Sequence, residues 1–219
     1  MRAMGKHSMA SFVTVVLNVS LGLLALALVL TIGLLIFSPF IKGPIEVDAR
    51  WLVVGTRMTI PVSLAVDPGA HRVAAPSLGI QDAQLLNLRG DLRFPTAPGS
   101  AFFLGNAALL IAILVVALVV VGQLRAVFRT LRDGKPFVPA NAARLRWVAS
   151  GVIAFEIMRA GIVYFENYYA MTRFSAEGLR FEARLDLDVF AIVLALIVLV
   201  IAEVFRAGTT LDEDRSLTI

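Results

Sequence analysis

The chain has 219 residues, 58% of them hydrophobic and 16% charged, against roughly half and a quarter in an ordinary soluble domain. Its mean hydropathy is +0.83 and its formal charge +4. It has no cysteine and two histidines, His7 and His71, which excludes a disulfide framework, a thiolate metal site and a Cys nucleophile and argues against a histidine metal centre.

A polar tail and the first long apolar run make up residues 1–41. The run, 11–40, is broken only by small polar residues such as Asn18, Ser20 and Thr31. About 20 apolar residues cross the hydrocarbon of a bilayer. A signal-peptide core is only about 7–15 residues long, and no A-x-A-like cleavage site follows Phe37 or Phe40, so the run reads as a retained helix.

Residues 42–100 carry charges of both signs and a different period. Met58, Ile60, Val62, Leu64 and Val66 alternate with Arg57, Thr59, Pro61, Ser63 and Ala65, the pattern of a strand with one buried face. Pro61 has no N–H for a ladder, which places this strand at an edge or at a bulge. Residues 86–94 repeat the pattern, with Leu86, Leu88, Leu92 and Phe94 on one side and Asn87, Arg89, Asp91 and Arg93 on the other. Asp67-Pro68-Gly69 signals a turn, and residues 45–54 offer a further strand. Arg89-Gly90-Asp91 spells the integrin tripeptide, but a glycine inside a strand reads first as an ordinary bulge.

The second apolar run is 101–124. Arg125, Arg129 and Arg132 follow at i, i+4 and i+7, a basic stripe that continues the helix beyond the bilayer. Gly134 can end that helix in the left-handed conformation, and a new one can begin near Pro139 with its preset φ. Pro136 and Pro139 bracket Phe137 and Val138. Arg144, Arg146 and Trp147 mark re-entry into the membrane. This loop, 125–146, holds six basic residues against Asp133 alone, so it is expected on the cytoplasmic side, with both termini. Two readings of its charge stand: anchoring to anionic lipid, or docking of a soluble partner.

The third run, 147–170, contains Glu156, Arg159 and Glu166 on one helix face. Such residues are costly in lipid and should face the interior of the protein or water. They form either a neutralised pair that sets helix packing, or an ion or proton path. Trp147 at one end and Tyr164, Tyr168 and Tyr169 at the other suit the two headgroup zones. Residues 174–185, around Glu177-Gly178, read as a hairpin joining the sheet of 42–100. Asp186 and Asp188 are expected to cap the fourth run, 187–205, which is nearly pure Val, Leu, Ile and Ala. Asn18, Ser20, Asn106 and Gln123 read as helix-joining polar groups. In the tail, Asp212, Glu213 and Asp214 can pair with the loop arginines, and residues 216–219 can add to a strand edge.

The fold class expected is a membrane all-α core, a four-transmembrane-helix bundle with a small extracytoplasmic β-rich cap. The organisation is 1–41, 42–100 as the cap, and 101–219 as the remaining helices with the basic loop and tail.

Gly134-Lys135-Pro136-Phe137, Asn141 and Arg144-Leu145-Arg146 resemble the central motif of an uncharacterised bacterial family of small, mostly four-span membrane proteins. Phe205-Arg206-Ala207-Gly208, Leu211, Asp214 and Leu217-Thr218-Ile219 resemble that family's usual ending. The resemblance covers roughly 12–41 and 101–219. Members are often encoded beside small helix-turn-helix regulators of the Cro/repressor type, which implies a sensory or regulatory role in a bacterial inner membrane and assigns no catalytic residue. No P-loop, nucleotide fingerprint, Ser-His-Asp set or HExxH is present, so no enzyme activity, cofactor or direct nucleic-acid binding is expected. The inner contact surface for a regulator or for lipid is Arg125, Arg129, Arg132, Phe137, Arg144 and Arg146. A channel or transporter subunit using Glu156, Arg159 and Glu166, a structural subunit of a larger membrane complex, and a homo-oligomer are the alternatives.

Overall fold

The computed structural model describes residues 9–40, 57–66, 73–75, 80–83, 88–96, 99–135 and 137–216. It has helices α1 (Met9–Phe37), α2 (Ala101–Arg132), α3 (Pro139–Arg173) and α4 (Val189–Ser216). Its strands are β1 (Arg57–Val66), β2 (Val73–Ala75), β3 (Ile80–Ala83), β4 (Leu88–Pro95) and β5 (Leu179–Glu182). All four helices are long and apolar enough to cross a membrane. Their surfaces agree with that reading. Leu23, Leu26 and Val29 on α1, and Leu196, Val200 and Val204 on α4, are each more than half exposed. Contiguous apolar surface of that kind is unfavourable in water and at home in lipid.

α2 and α3 have 32 and 35 residues, about 48 and 53 Å at 1.5 Å per residue, against a hydrocarbon core of about 30 Å. Both therefore extend beyond it. Ser100 starts α2: its Oγ accepts the Phe103 N–H at 3.2 Å, satisfying one of the open donors of the first turn. At the other end, Lys135 N–H donates to Thr130 O and Gly134 N–H to Leu131 O, with Gly134 at φ +73°. Those two bonds make a Schellman stop. Gly134→Ala should lower the thermal unfolding midpoint by the equivalent of about 1–2 kcal/mol, because a Cβ is strained at that φ. A melting curve in detergent superimposable on the wild type would reject this account. α3 then begins at Pro139, where a missing N–H costs nothing.

The sheet runs β4-β1-β5, antiparallel throughout. Met58, Ile60 and Val62 of β1 are buried, and with Phe94, Phe102 and Ala170 they form one core. The alternation of β4 is likewise apolar-in, polar-out. β1 is thus the middle strand, where Pro61 was expected to force an edge or a bulge. The reason is local. β5 pairs with Ser63–Val66, so among the described residues no strand lies beside Pro61 on the flank of β1 away from β4. On that flank Asn167 of α3 takes over: its Oδ1 accepts the Ser63 N–H at 2.6 Å, and its Nδ2 donates to Pro61 O at 3.4 Å. A residue's N and C=O lie on the same side of a strand, so the proline nitrogen faces a place where no ladder donor is needed.

Gly90 is not at a bulge. It stands opposite Val62 in an unbroken register, and Arg89 reaches across to Asp186 at 3.2 Å. The loop 174–185 supplies β5 as one strand, with a turn at Gly178 (φ +71°). β2 and β3 form a separate two-stranded sheet. The expected strand at 45–54, the turn at 67–69, Leu86, His7 and His71 lie outside the described residues.

By contacts the chain divides into two compact units. One contains Met1–Gly33, Ala108–Met158 and Asp188–Ile219; the other contains Leu34–Ala107 and Arg159–Leu187, including the strands.

Candidate functional site

The residues of the two sequence motifs meet. In the first unit, α2, the loop after it, α3 and α4 converge on a core of Val127, Leu145 and Ala202, flanked by Leu131, Val198 and Phe205. Phe137 leaves the loop and packs on α4. Its ring lies 5.9 Å from that of Phe205, and a Cβ at Gly208 would overlap its ring atoms. Glycine at 208 is what lets the loop close on the helix.

Asn141 is fully buried at the start of α3. Its Nδ2 donates to Thr130 Oγ1 at 2.7 Å, and the Thr130 hydroxyl donates to Val127 O at 2.7 Å. Its Oδ1 accepts from Arg144 at 3.0 Å. A buried amide is costly unless its groups are matched, and this chain matches them while tying α2 to α3. Arg146 pairs with Glu203 of α4 at 3.3 Å, and Arg206 pairs with the same carboxylate. Glu203 is an acid inside the otherwise nearly pure aliphatic fourth run. The signal was one acid opposite an arginine-rich loop.

Around this packed centre the remaining basic groups differ. Arg129 and Lys135 are exposed, as is Arg132, whose Nε lies 3.9 Å from Asp133. Arg125 is partly buried, and its Nε has no hydrogen-bond partner. Of the six residues expected to form one contact surface, Arg125 and Arg144 are partly buried and the other four are exposed. Phe137, Arg144 and Arg146 hold the loop in place, and Phe137 and Arg146 are exposed all the same, as are Arg129 and Arg132. α4 is helical through Ser216, so the tail does not begin a strand there. The side chains of Asp212, Glu213 and Asp214 lie outside the described residues.

The polar stripe of α3 is occupied locally. Glu156, only 3% exposed, accepts the Asp188 N–H at 2.6 Å. Arg159 donates to Asp186 O at 2.7 Å. Both bonds end on the backbone leading into α4, whose first turn is capped by Asp188 Oδ1 on Phe190 N–H. Asp188 caps as expected, whereas Asp186 pairs with Arg89 instead. Glu166 is 7% exposed. Asn167 was missed by sequence reading and joins β1 to α3; an amide beside Glu166 on the same buried face was its only signal. Ser20 and Asn106 bond the carbonyls of Val16 and Phe102 on their own helices, where helix-joining bonds were expected. Among the described residues, no group of three or more His, Asp or Glu is placed to hold a metal ion.

Residues 77–219, well over half of the chain, match the model of a family described as Protein of unknown function (DUF2975). The match contains both motifs. It extends into 77–100, which the resemblance reached by position only, and leaves out 12–41. No curated protein and no solved structure matches the chain.

Proposed function

Because the chain belongs to the family described as Protein of unknown function (DUF2975), we propose a role from its own geometry: a non-enzymatic, multi-pass protein of a bacterial inner membrane that senses or regulates. In this reading the helices form a bundle, the β-rich region is an extracytoplasmic cap, and the α2–α3 loop and both termini are cytoplasmic. The loop docks a soluble regulator, with a small helix-turn-helix protein as the candidate implied by the family resemblance.

The observation that carries the reading is the closure of the loop on α4 through Phe137, Gly208 and the Arg146–Glu203 pair. It makes a fixed platform, and Arg129 and Arg132 stand exposed beside it. Preformed charge on a rigid surface steers an acidic partner and sets its orientation. The polar groups of α3 support the same reading, since Glu156, Arg159 and Asn167 hold backbone of β1 and of the segment before α4.

The test is reversal of charge at both exposed arginines, Arg129→Glu with Arg132→Glu. Co-purification from native membranes should then lose the soluble partner at least tenfold, while the protein still inserts and melts as before. Undiminished recovery of the partner would falsify the docking role.

A further inference from the structure

Glu166 differs from the other acids of the third span. It is 7% exposed, and among the described residues no hydrogen bond or ion pair meets its carboxyl. Glu156, by contrast, accepts the Asp188 N–H. Arg159 and Arg173 are each seven residues from Glu166 on α3, about 10 Å along the axis, and Arg159 donates to Asp186 O. A carboxylate shielded from water is unfavourable unless a counter-charge or a proton matches it.

A second acceptor stands at the same depth. Val127 packs with Leu145 and Val120 with Gly151, so α2 and α3 run in opposite directions. The Phe102 ring lies 4.0 Å from that of Tyr169 and 5.6 Å from that of Phe165. One turn from Phe102 toward the loop is Asn106, and one turn from Tyr169 toward the loop is Phe165, the neighbour of Glu166. Asn106 shares the face of Phe102 that meets α3. It is 8% exposed, and its Nδ2 donates to Phe102 O at 3.0 Å. That bond fixes the amide, and among the described residues nothing donates to Oδ1. Both acceptors can be reached. Among the described residues, Arg125 Nε is the one unbonded side-chain N or O closed off from solvent, so the oxygens of Glu166 and Asn106 are not sealed. Tyr164 and Tyr168, on neighbouring positions of α3, are 43% and 48% exposed, and such rings mark the headgroup zone, where water and its ions arrive.

We propose that Glu166 and Asn106 hold a small monovalent cation, an alkali ion of the size of sodium, between the carboxylate and Oδ1. The donor set decides the class. Hard cations take oxygen ligands, and both groups offer oxygen alone. One carboxylate and one neutral amide oxygen balance a single positive charge. A divalent ion would keep a net charge shielded from water, which is unfavourable. Among the described residues no group of three acids is placed to offset it. Water completes the shell from the headgroup side. The bound ion would join α2 to α3 beside the strands. The site does not depend on a partner docking at the α2–α3 loop.

The experiment is equilibrium binding of radiolabelled sodium to the purified full chain in mild detergent, with unlabelled sodium or choline chloride as competitor. The wild type should bind sodium saturably, and unlabelled sodium should displace it while choline, too large for the site, does not. Glu166→Gln keeps the shape and removes the charge. It should weaken binding about thirtyfold or more, as loss of one partner of a shielded charge pair does. Asn106→Leu should weaken it about fivefold, the share of a neutral contact, and decides the matter if the glutamine variant does not fold. Absence of saturable binding in the wild type would overturn the proposal, and the carboxyl would then hold a proton instead. Equal displacement by choline would overturn it too, since the counted ions would be a diffuse atmosphere. So would undiminished affinity in Glu166→Gln, or in Asn106→Leu where the glutamine variant fails to fold.

Discussion

Asn167→Leu is expected to release β1 from α3 and to destabilise the strand-containing unit by about 1–3 kcal/mol. Asn167 is 2% exposed and makes three bonds: it accepts from Ser63 N–H and donates to Pro61 O and to Val163 O. Leucine has nearly the same volume and makes none of them. The Ser63 N–H and the Pro61 carbonyl then lose their partner; Ser63 is partly buried, and an unmatched backbone group shielded from water costs about 1–3 kcal/mol, whereas the exposed Pro61 can turn to solvent. The ladder to β4 cannot compensate, because these groups face the other way. Hydrogen exchange is the measurement. The Ser63 amide and the β5 pairs should lose protection, while the β1–β4 pairs near Met58 and Ile60 keep most of theirs. Wild-type protection at Ser63 would show that the amide is incidental. The aromatic cluster sharpens the comparison. Phe94, Phe102, Tyr169 and Phe174 form a chain of ring contacts with centroids 4.0–6.3 Å apart that does not involve Asn167, so the core should persist when the bond is lost.

Gly208→Ala should open the α2–α3 loop, and here the sign is decided by two opposed effects. Alanine favours a helix over glycine by about 0.5–1 kcal/mol. Its Cβ, however, would overlap the ring of Phe137, which must then swing away and leave Phe205. Overpacking of this kind costs about 1–3 kcal/mol. The collision wins, for a net loss of about 1–2 kcal/mol concentrated in residues 133–138. Limited proteolysis in the loop should speed up several-fold. A double-mutant cycle checks the cause: with Phe137→Ala present, Gly208→Ala should become neutral or stabilising, because only the helix preference remains. If the alanine at 208 destabilises equally in both backgrounds, Phe137 is not the contact that matters.

Much of this architecture was legible along the chain. Four long apolar runs could only be accommodated as helices in lipid, and α1 to α4 occupy them. The period of two at residues 57–66 correctly chose Met58, Ile60 and Val62 as the buried face. Glycine at 134 and proline at 139 marked the stop of α2 and the start of α3 because their backbone preferences act within a few residues. The motifs around Phe137 and Gly208 were visible as a resemblance, and the family match includes both.

Pairing across the chain was not legible. Pro61 argued for an edge strand, yet β1 is central, because the environment of one residue on one flank decides whether a missing N–H matters. Nothing near Asn167 in sequence points to Ser63, 104 residues away. The same holds for Glu203 with Arg146, separated by 57 residues, and for Gly208 with Phe137. Apolar length, strand period and turn chemistry are set by neighbours along the chain, so the sequence by itself determined how many helices there are, where they stop and which strand face is buried. Hydrogen bonds and close packing between distant residues depend on where whole elements come to rest, so only the tertiary structure decided that Phe137 meets Phe205 and Gly208 and that Arg146 meets Glu203.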